Sequence, residues 1–155
     1  MRIYTATPVT NEMRECLQIE GSSYLMGSVA ASEVERLQKE SDVLVHVESL
    51  DRKNEAALKH SLSTKLVDYF KVARPILAVG PRGVASIEHL RENNCALLAE
   101  TEEELFEKLK PLVDDYERLH ILAKNAYECG RKNHDETTMK QMLERDMRQL
   151  CEANK

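Results

Sequence analysis

The fold of this chain is indicated most clearly by residues 63–81, which read Ser63-Thr-Lys-Leu-Val-Asp-Tyr-Phe-Lys-Val-Ala-Arg-Pro-Ile-Leu-Ala-Val-Gly-Pro81. Apolar side chains at helical spacing predict a helix over residues 63–72, and Pro75 ends it because a proline biases the residue before it away from helix. The apolar run 76–79 predicts a buried strand, and Gly80 a turn. A helix followed by a strand is the unit from which parallel α/β sheets are built.

The same alternation continues on both sides of this stretch. We predict strands over residues 1–6, 24–27, 42–48 and 96–99, and helices over residues 10–19, 32–40 and 84–92. The valine-rich run 42–48 is typical of a strand buried on both faces, whereas the charged segment 49–60 predicts a surface loop. Two pairs of residues have the spacing of a helix capping box: Ser32 with Glu35, and Thr101 with Glu104.

From Thr101 onward the pattern is helical only, with further helices over residues 115–131 and 136–152. The chain therefore predicts an α/β fold, a Rossmann-like doubly wound parallel sheet with a helical C-terminal tail. Its 155 residues suit a single domain, residues 1–155.

Composition narrows the class of protein. Hydrophobic residues make up 42% of the chain, which is enough for a packed interior. Its 22 Lys and Arg against 27 Asp and Glu give a net charge of -5, which argues against a nucleic-acid partner. Apolar runs are too short for a membrane span, and the first residues lack the apolar core of a signal peptide, so we expect a cytoplasmic protein.

Cysteine and histidine spacing gives no local sign of a metal site. The four cysteines are far apart, which argues against a disulfide framework, and the five histidines lack a helical zinc-binding spacing. We therefore expect reduced thiols and no metal.

The helix start at residues 61–65 is the strongest candidate for a binding site. Ligands of doubly wound sheets bind outside the carboxyl ends of the strands, and a helix N-terminus offers free amides and a positive dipole to an anion. Lys65 adds a full charge, and the Ser63 and Thr64 hydroxyls are possible donors to a phosphate. The ordinary alternative is that Ser61 or Ser63 is a helix cap and Lys65 a solvated side chain.

Other polar groups follow the same strands. The turn Gly80-Pro81-Arg82-Gly83 has the composition to approach a diphosphate, although such turns often have no ligand. Asp68, one helical turn after Lys65, is placed either to accept ribose hydroxyls or to pair with a neighbouring lysine. Glu48 closes a buried strand, where a carboxylate needs a partner or a wet cleft.

Residues 63–81 resemble the Ser-Thr-Lys-Leu-x-Glu-Tyr-x-x-x-Gly-Lys-Pro-Ile-Leu-Ala segment in the donor-binding half of GT-B nucleotide-sugar glycosyltransferases of the retaining, family-four type. Gly27, followed by a helix and by Ser41-Asp-Val-Leu-Val, resembles the family's glycine, helix and Ala-Asp-Val-Leu-Val. The similarity covers nearly the whole chain. It implies a nucleotide-sugar-binding domain that lacks its own first strand and glycine loop and the N-terminal acceptor domain.

The resemblance also implies roles for individual residues. Asp68 stands where the family commonly has the glutamate expected to hold the ribose, and Lys65 with Ser63 and Thr64 matches the diphosphate-facing helix start. The turn 80–83 matches the loop nearest the sugar. The first acid of the family's pair falls on His60, so no catalytic residue is assigned.

The resemblance implies a hexosyltransferase that needs no metal or cofactor. It also implies that this chain, as one domain of that enzyme, is inactive alone. The full enzyme is expected to be cytoplasmic or peripheral to a membrane. The alternative is a non-enzymatic α/β regulatory or protein-interaction module. A receiver-like domain fits poorly, because Glu48 rather than an aspartate ends the third strand. An apolar stripe on the last predicted helix is either core or a surface for self-association, and it consists of Met139, Leu143, Met147 and Leu150.

Overall fold

The computed structural model describes residues 1–112 and 114–153, with the backbone alone at residues 52, 55 and 153. It has two compact units, Met1–Leu37 and Gln38–Lys155. Both contain parallel strands and helices, so the predicted α/β class is confirmed, as is the helical C-terminal region. None of the helices in these described stretches is long and apolar enough to cross a bilayer.

The first unit contains a two-stranded parallel sheet. Strand β1 (Arg2–Tyr4) pairs with strand β2 (Tyr24–Gly27), and helix α1 (Asn11–Leu17) lies between them in the chain. The Thr10 hydroxyl caps α1 by accepting a hydrogen bond from the Met13 amide at 3.1 Å. Helix α2 (Ala31–Lys39) starts one residue before Ser32, so the prediction that Ser32 caps this helix is wrong.

The second unit is built on a three-stranded parallel sheet in the order β3-β4-β5. Its strands are β3 (Leu44–Val47), β4 (Ile76–Val79) and β5 (Leu97–Ala99). The helices are α3 (Glu55–Leu58), α4 (Thr64–Lys71), α5 (Ala85–Glu92), α6 (Glu102–Leu112), α7 (Tyr116–Asn133) and α8 (Glu136–Ala153). A 3₁₀ turn (Arg52–Asn54) precedes α3. The segment 49–60, predicted as a loop, therefore contains a helical turn and a short helix.

Strand β4 is buried on both faces, and its side chains alternate between two apolar clusters. Ile76 and Ala78 pack in the cluster that includes residues of α4 and α5, whereas Leu77 packs with Leu112 and Leu122. Helices thus cover both faces of this strand, as in Rossmann-like folds.

Strand β3 differs from its prediction as a strand buried on both faces. Val45 and Val47 are 37% and 64% exposed, whereas the polar His46 lies on the buried face. Composition alone is misleading here, because a valine-rich strand at the edge of a sheet presents its apolar face wherever no helix covers it.

The capping-box spacing at Thr101 and Glu104 does mark a helix start. The Thr101 hydroxyl accepts from the Glu104 amide at 3.3 Å. The Glu104 carboxylate, however, accepts from the amide of Glu100 at 3.0 Å, so it satisfies the residue before the cap.

In helix α8 the predicted apolar stripe is largely exposed. Leu143, Met147 and Leu150 are each more than half accessible, and Met139 partly so. Within the part of the chain that the structure describes, the stripe is therefore not part of the hydrophobic core. The interpretation as a surface for self-association is still a hypothesis.

Candidate functional site

The carboxyl ends of β3 and β4 meet at Glu48 and Gly80. The amide of Glu48 donates to the carbonyl of Val79 at 2.8 Å, and the amide of Gly80 donates to the carbonyl of Ala99 at 3.0 Å. A Cβ on Gly80 would lie 2.9 Å from the Glu48 Cβ and 2.8 Å from Ile87 Cγ1. Gly80 therefore allows the strand end, Glu48 and helix α5 to approach closely.

Glu48 is buried and has a partner. His46 Nε2 lies 2.9 Å from Glu48 Oε1, and both side chains are almost completely inaccessible. Burial lowers the pKa of His46, and this is the largest effect. The hydrogen bond to Glu48 and its charge raise the pKa in part, whereas the charge of Lys65 lowers it. The neutral imidazole donates to the carboxylate, which answers the need of a buried acid for a partner.

Helix α4 is pinned against β3 with its first turn open. The Tyr69 hydroxyl donates to the carbonyl of Val45 at 3.1 Å, and Leu66 and Phe70 are buried. Ser63 occupies the N-cap position, yet its hydroxyl makes no capping hydrogen bond. The backbone amides of Thr64 and Lys65 donate no hydrogen bond to any residue that the structure describes.

The side chain of Lys65 is exposed and forms no ion pair with any residue that the structure describes. The amide of Ser63, directly before helix α4, donates to the Ser86 hydroxyl at the start of α5, so Lys65 lies in the first turn of a helix that begins at the carboxyl end of the sheet. The free amides, the positive end of the helix dipole and the ammonium therefore lie together at the carboxyl edge of the sheet, an arrangement that suits an anion.

Ser86 joins the starts of α4 and α5. Its fully buried hydroxyl accepts a hydrogen bond from the amide of Ser63 at 3.0 Å and donates to the carbonyl of Ser61 at 3.4 Å. This contact brings the predicted helix start 61–65 next to the helix that follows the turn 80–83. Sequence reasoning missed Ser86, because a serine in a helix gives no local sign of so distant a partner.

The turn 80–83 has its own internal anions. The Gly83 amide donates to Glu88 Oε1 at 2.9 Å, and Arg82 Nε donates to Glu100 Oε1 at 2.6 Å. The Arg82 hydrogen bond is the main reason that the pKa of Glu100 is lowered. The turn thus offers an amide and a guanidinium that could donate to a phosphate, but both already donate to protein carboxylates. A phosphate that binds here competes with Glu88 and Glu100.

Asp68 takes part in an ion pair on the helix surface. Lys71 Nζ lies 3.2 Å from Asp68 Oδ1, and both side chains are more than half exposed. This contact is the alternative that the spacing left open. Because exposed ion pairs contribute little free energy, it leaves Asp68 available to a stronger partner. His60, at the other position of the acid pair, is exposed.

The structure therefore brings together Glu48, the helix start with Lys65, and the turn at Gly80. It adds two residues that the sequence reasoning overlooked, His46 and Ser86. His46 had a detectable signal, since residues two apart on a strand share a face and His46 and Glu48 are so spaced.

Neither protein-family models nor curated proteins yield a match to this sequence. Among solved structures, the chain is similar to the crystal structure of Anabaena Alr3699/HepE in complex with UDP-glucose. The two share 15% identity with a TM-score of 0.65, over 89% of this chain and 35% of that one. The likeness establishes the fold, and this chain spans about a third of that protein.

Proposed function

We propose that this chain is the nucleotide-sugar-binding domain of a GT-B glycosyltransferase, and that the first turn of α4 binds the donor diphosphate. One observation carries the proposal. The Lys65 ammonium and the amides of Thr64 and Lys65 have no partners among the described residues, and their helix start is bonded through Ser63 to the start of α5, at the carboxyl edge of a parallel sheet. The UDP-glucose in the structurally similar protein supports the same ligand class.

The chemistry of sugar transfer explains why such a site is useful. When the glycosidic bond of a nucleotide sugar breaks, negative charge develops on the departing diphosphate. Oriented N–H donors and a fixed positive charge stabilise that charge without rearrangement, and they need no metal ion to do so. Lys65 supplies the charge in this proposal, while Ser63 and Thr64 supply hydroxyl donors at the same helix start.

The remaining site residues have supporting roles in this proposal. Asp68 accepts hydrogen bonds from the ribose hydroxyls after leaving Lys71. Arg82, once released from Glu100, faces the sugar side of the diphosphate with the Gly80 and Gly83 backbone. Glu48 and His46 form the buried floor beneath the sugar.

The acceptor and the general base come from a second domain in this proposal. The chain alone then binds donor and transfers no sugar. A hexosyl donor is expected, in a cytoplasmic or membrane-peripheral enzyme, and the exposed stripe of α8 is a candidate surface for self-association.

Calorimetric titration tests the proposal. UDP, GDP and their sugars are titrated into the chain, with uridine and guanosine as ligands that lack the diphosphate. We expect Lys65→Ala to weaken diphosphate binding by about 10- to 100-fold, the value of one charge-assisted contact. Asp68→Ala should weaken binding of the nucleotides but not of free pyrophosphate.

Lys71→Ala is the matched control, since Lys71 is an exposed lysine at the other end of the same helix. It should change affinity less than about twofold. A folded wild-type chain that binds none of these diphosphates, or equal losses in the Lys65 and Lys71 variants, would refute the assignment.

A further inference from the structure

Three side chains with metal-binding atoms converge at the far end of α5 from the turn 80–83. His89 lies in the last turn of α5, Cys129 just before the last turn of α7, and His134 directly follows α7. The two histidine Nε2 atoms are 2.9 Å apart, and Cys129 Sγ is 3.4 Å from His89 Nε2. All three ligand atoms lie within 4.8 Å of one another.

The surrounding packing holds these residues in place. Helix α7 approaches α4 so closely at Gly130 that a Cβ there would lie 2.6 Å from the Phe70 Cβ. The Phe70 ring stacks on His134 with centroids 5.3 Å apart, and it contacts His89 at 5.9 Å. The cluster therefore has an apolar wall on one side, and the close approach of two helices fixes it.

Polar contacts tie the ends of α5 and α7 around the cluster. Asn133 Nδ2 donates to Asn93 Oδ1 at 3.2 Å and contacts Cys129 Sγ at 3.5 Å. Asn93 Nδ2 in turn donates to the carbonyl of His89 at 2.8 Å. These contacts join the ends of α5 and α7 beside His89 and Cys129, and one of them reaches the Cys129 sulfur.

The spacing of the two Nε2 atoms suits either a hydrogen bond or a shared metal ion. One neutral imidazole can donate its Nε2–H to the Nε2 lone pair of the other at this distance, and a metal ion bound to both nitrogens takes the place of that proton. In a tetrahedral zinc site the Zn–N bonds are about 2.0 Å long and the Zn–S bonds about 2.3 Å. Two nitrogen ligands then lie about 3.3 Å apart, and a nitrogen and a sulfur ligand about 3.6 Å apart. The two observed separations come within a few tenths of an ångström of these values.

We propose that His89, Cys129 and His134 bind one divalent transition-metal ion of the zinc type, with water at the fourth position. The ligand set of one thiolate and two imidazoles favours zinc over magnesium or calcium, which prefer oxygen. Both histidines are partly exposed, which gives water access to the open position, whereas Cys129 is buried. The site is independent of the proposed donor site.

Cys95 lies beside this cluster as a neutral thiol. Its Sγ donates to the carbonyl of Leu90 at 3.6 Å, and its contact with Cys129, together with burial, raises its pKa. Because its proton is directed at the Leu90 carbonyl, Cys95 is not one of the converging ligand residues.

Cobalt titration of the full, chelator-treated chain tests this proposal. Co²⁺ replaces Zn²⁺ as an optical probe, because a bound thiolate gives a charge-transfer band and tetrahedral cobalt gives visible d–d bands. We expect one Co²⁺ per chain with both features, and displacement by Zn²⁺. Cys129→Ser should remove the charge-transfer band, and His134→Ala should weaken binding by at least about tenfold.

Control variants separate this site from other thiols and imidazoles. Cys16→Ser, Cys151→Ser and His120→Ala alter exposed residues outside the cluster and should leave the titration unchanged. If Cys129→Ser does not fold by circular dichroism, His134→Ala decides, since His134 follows the helix and is partly exposed. Absence of one-to-one binding overturns the proposal, as does a spectrum that survives His134→Ala or disappears with Cys16→Ser or Cys151→Ser.

Discussion

The amide of Ser63 donates a 3.0 Å hydrogen bond to the fully buried hydroxyl of Ser86. The residues are 23 positions apart, and this contact joins the start of α4 to the start of α5. It places the open first turn of α4, with Lys65, beside the turn that follows β4.

Replacing Ser86 tests the importance of this contact. Ser86→Ala leaves the Ser63 amide without its acceptor, which should lower the free energy of unfolding by about 1–3 kcal/mol. Urea denaturation measures the change. Ser61→Ala is the matched control, because the Ser61 hydroxyl is exposed and bonds to none of the described residues. Equal stability of the two variants would contradict the role of Ser86.

Gly80 is predicted to be intolerant of any side chain. A Cβ there would lie 2.8 Å from Ile87 Cγ1, so Gly80→Ala should cost about 1–3 kcal/mol of unfolding free energy. In an Ile87→Ala background the added methyl gains space, and the penalty from Gly80→Ala should shrink by about 1 kcal/mol. Strict additivity in this double-mutant cycle would show that the close approach to Ile87 is not the cause.

The buried His46 predicts a loss of stability in acid. Because burial lowers its pKa in the folded state, the unfolded chain takes up the proton first as the pH falls. The stabilisation is complete above about pH 6.5 and is lost as the pH falls towards the pKa of the folded form. His46→Gln keeps a donor for Glu48 without this titration, so its unfolding free energy should vary less between pH 7 and 5.

The shifted pKa of His134 acts in the same direction as that of His46, and the raised pKa of His89 acts in the opposite direction. Unfolding curves of His46→Gln and wild type at matched pH values therefore isolate the His46 contribution. Parallel pH profiles in the two proteins would contradict it.

Glu100 is predicted to compete with the donor for Arg82. Glu100→Gln weakens the 2.6 Å contact with Arg82 Nε and frees the guanidinium, so affinity for a nucleotide sugar should rise by about two- to fivefold. Calorimetry with UDP-glucose measures the change, and Arg82→Ala should lower the affinity instead. Unchanged affinity in both variants would remove the turn 80–83 from the proposed site.

Sequence patterns predicted local structure well and partners poorly. Strand 76–79 has the predicted bounds, because a short apolar run between Pro75 and Gly80 admits few alternatives. The burial of β3 was mispredicted, since its exposed face depends on what packs against an edge strand. Short helical segments in 49–60 were missed because they lack an apolar stripe.

The candidate site was predictable only in part. Helix-start chemistry at Lys65 follows from local spacing, and so did the alternative pairing of Asp68 with Lys71. The convergence of His89 with Cys129 could not be read from spacing, because 40 residues separate them and only the packing of α5 against α7 brings them together.

Backbone amide NMR during addition of UDP tests the central claim most directly. If the first turn of α4 binds the diphosphate, the resonances of Thr64 and Lys65 move most and saturate. Those of Tyr116 and Glu117, at the start of the Asp115-capped α7, stay in place. Saturable binding that leaves Thr64 and Lys65 unmoved would contradict the account.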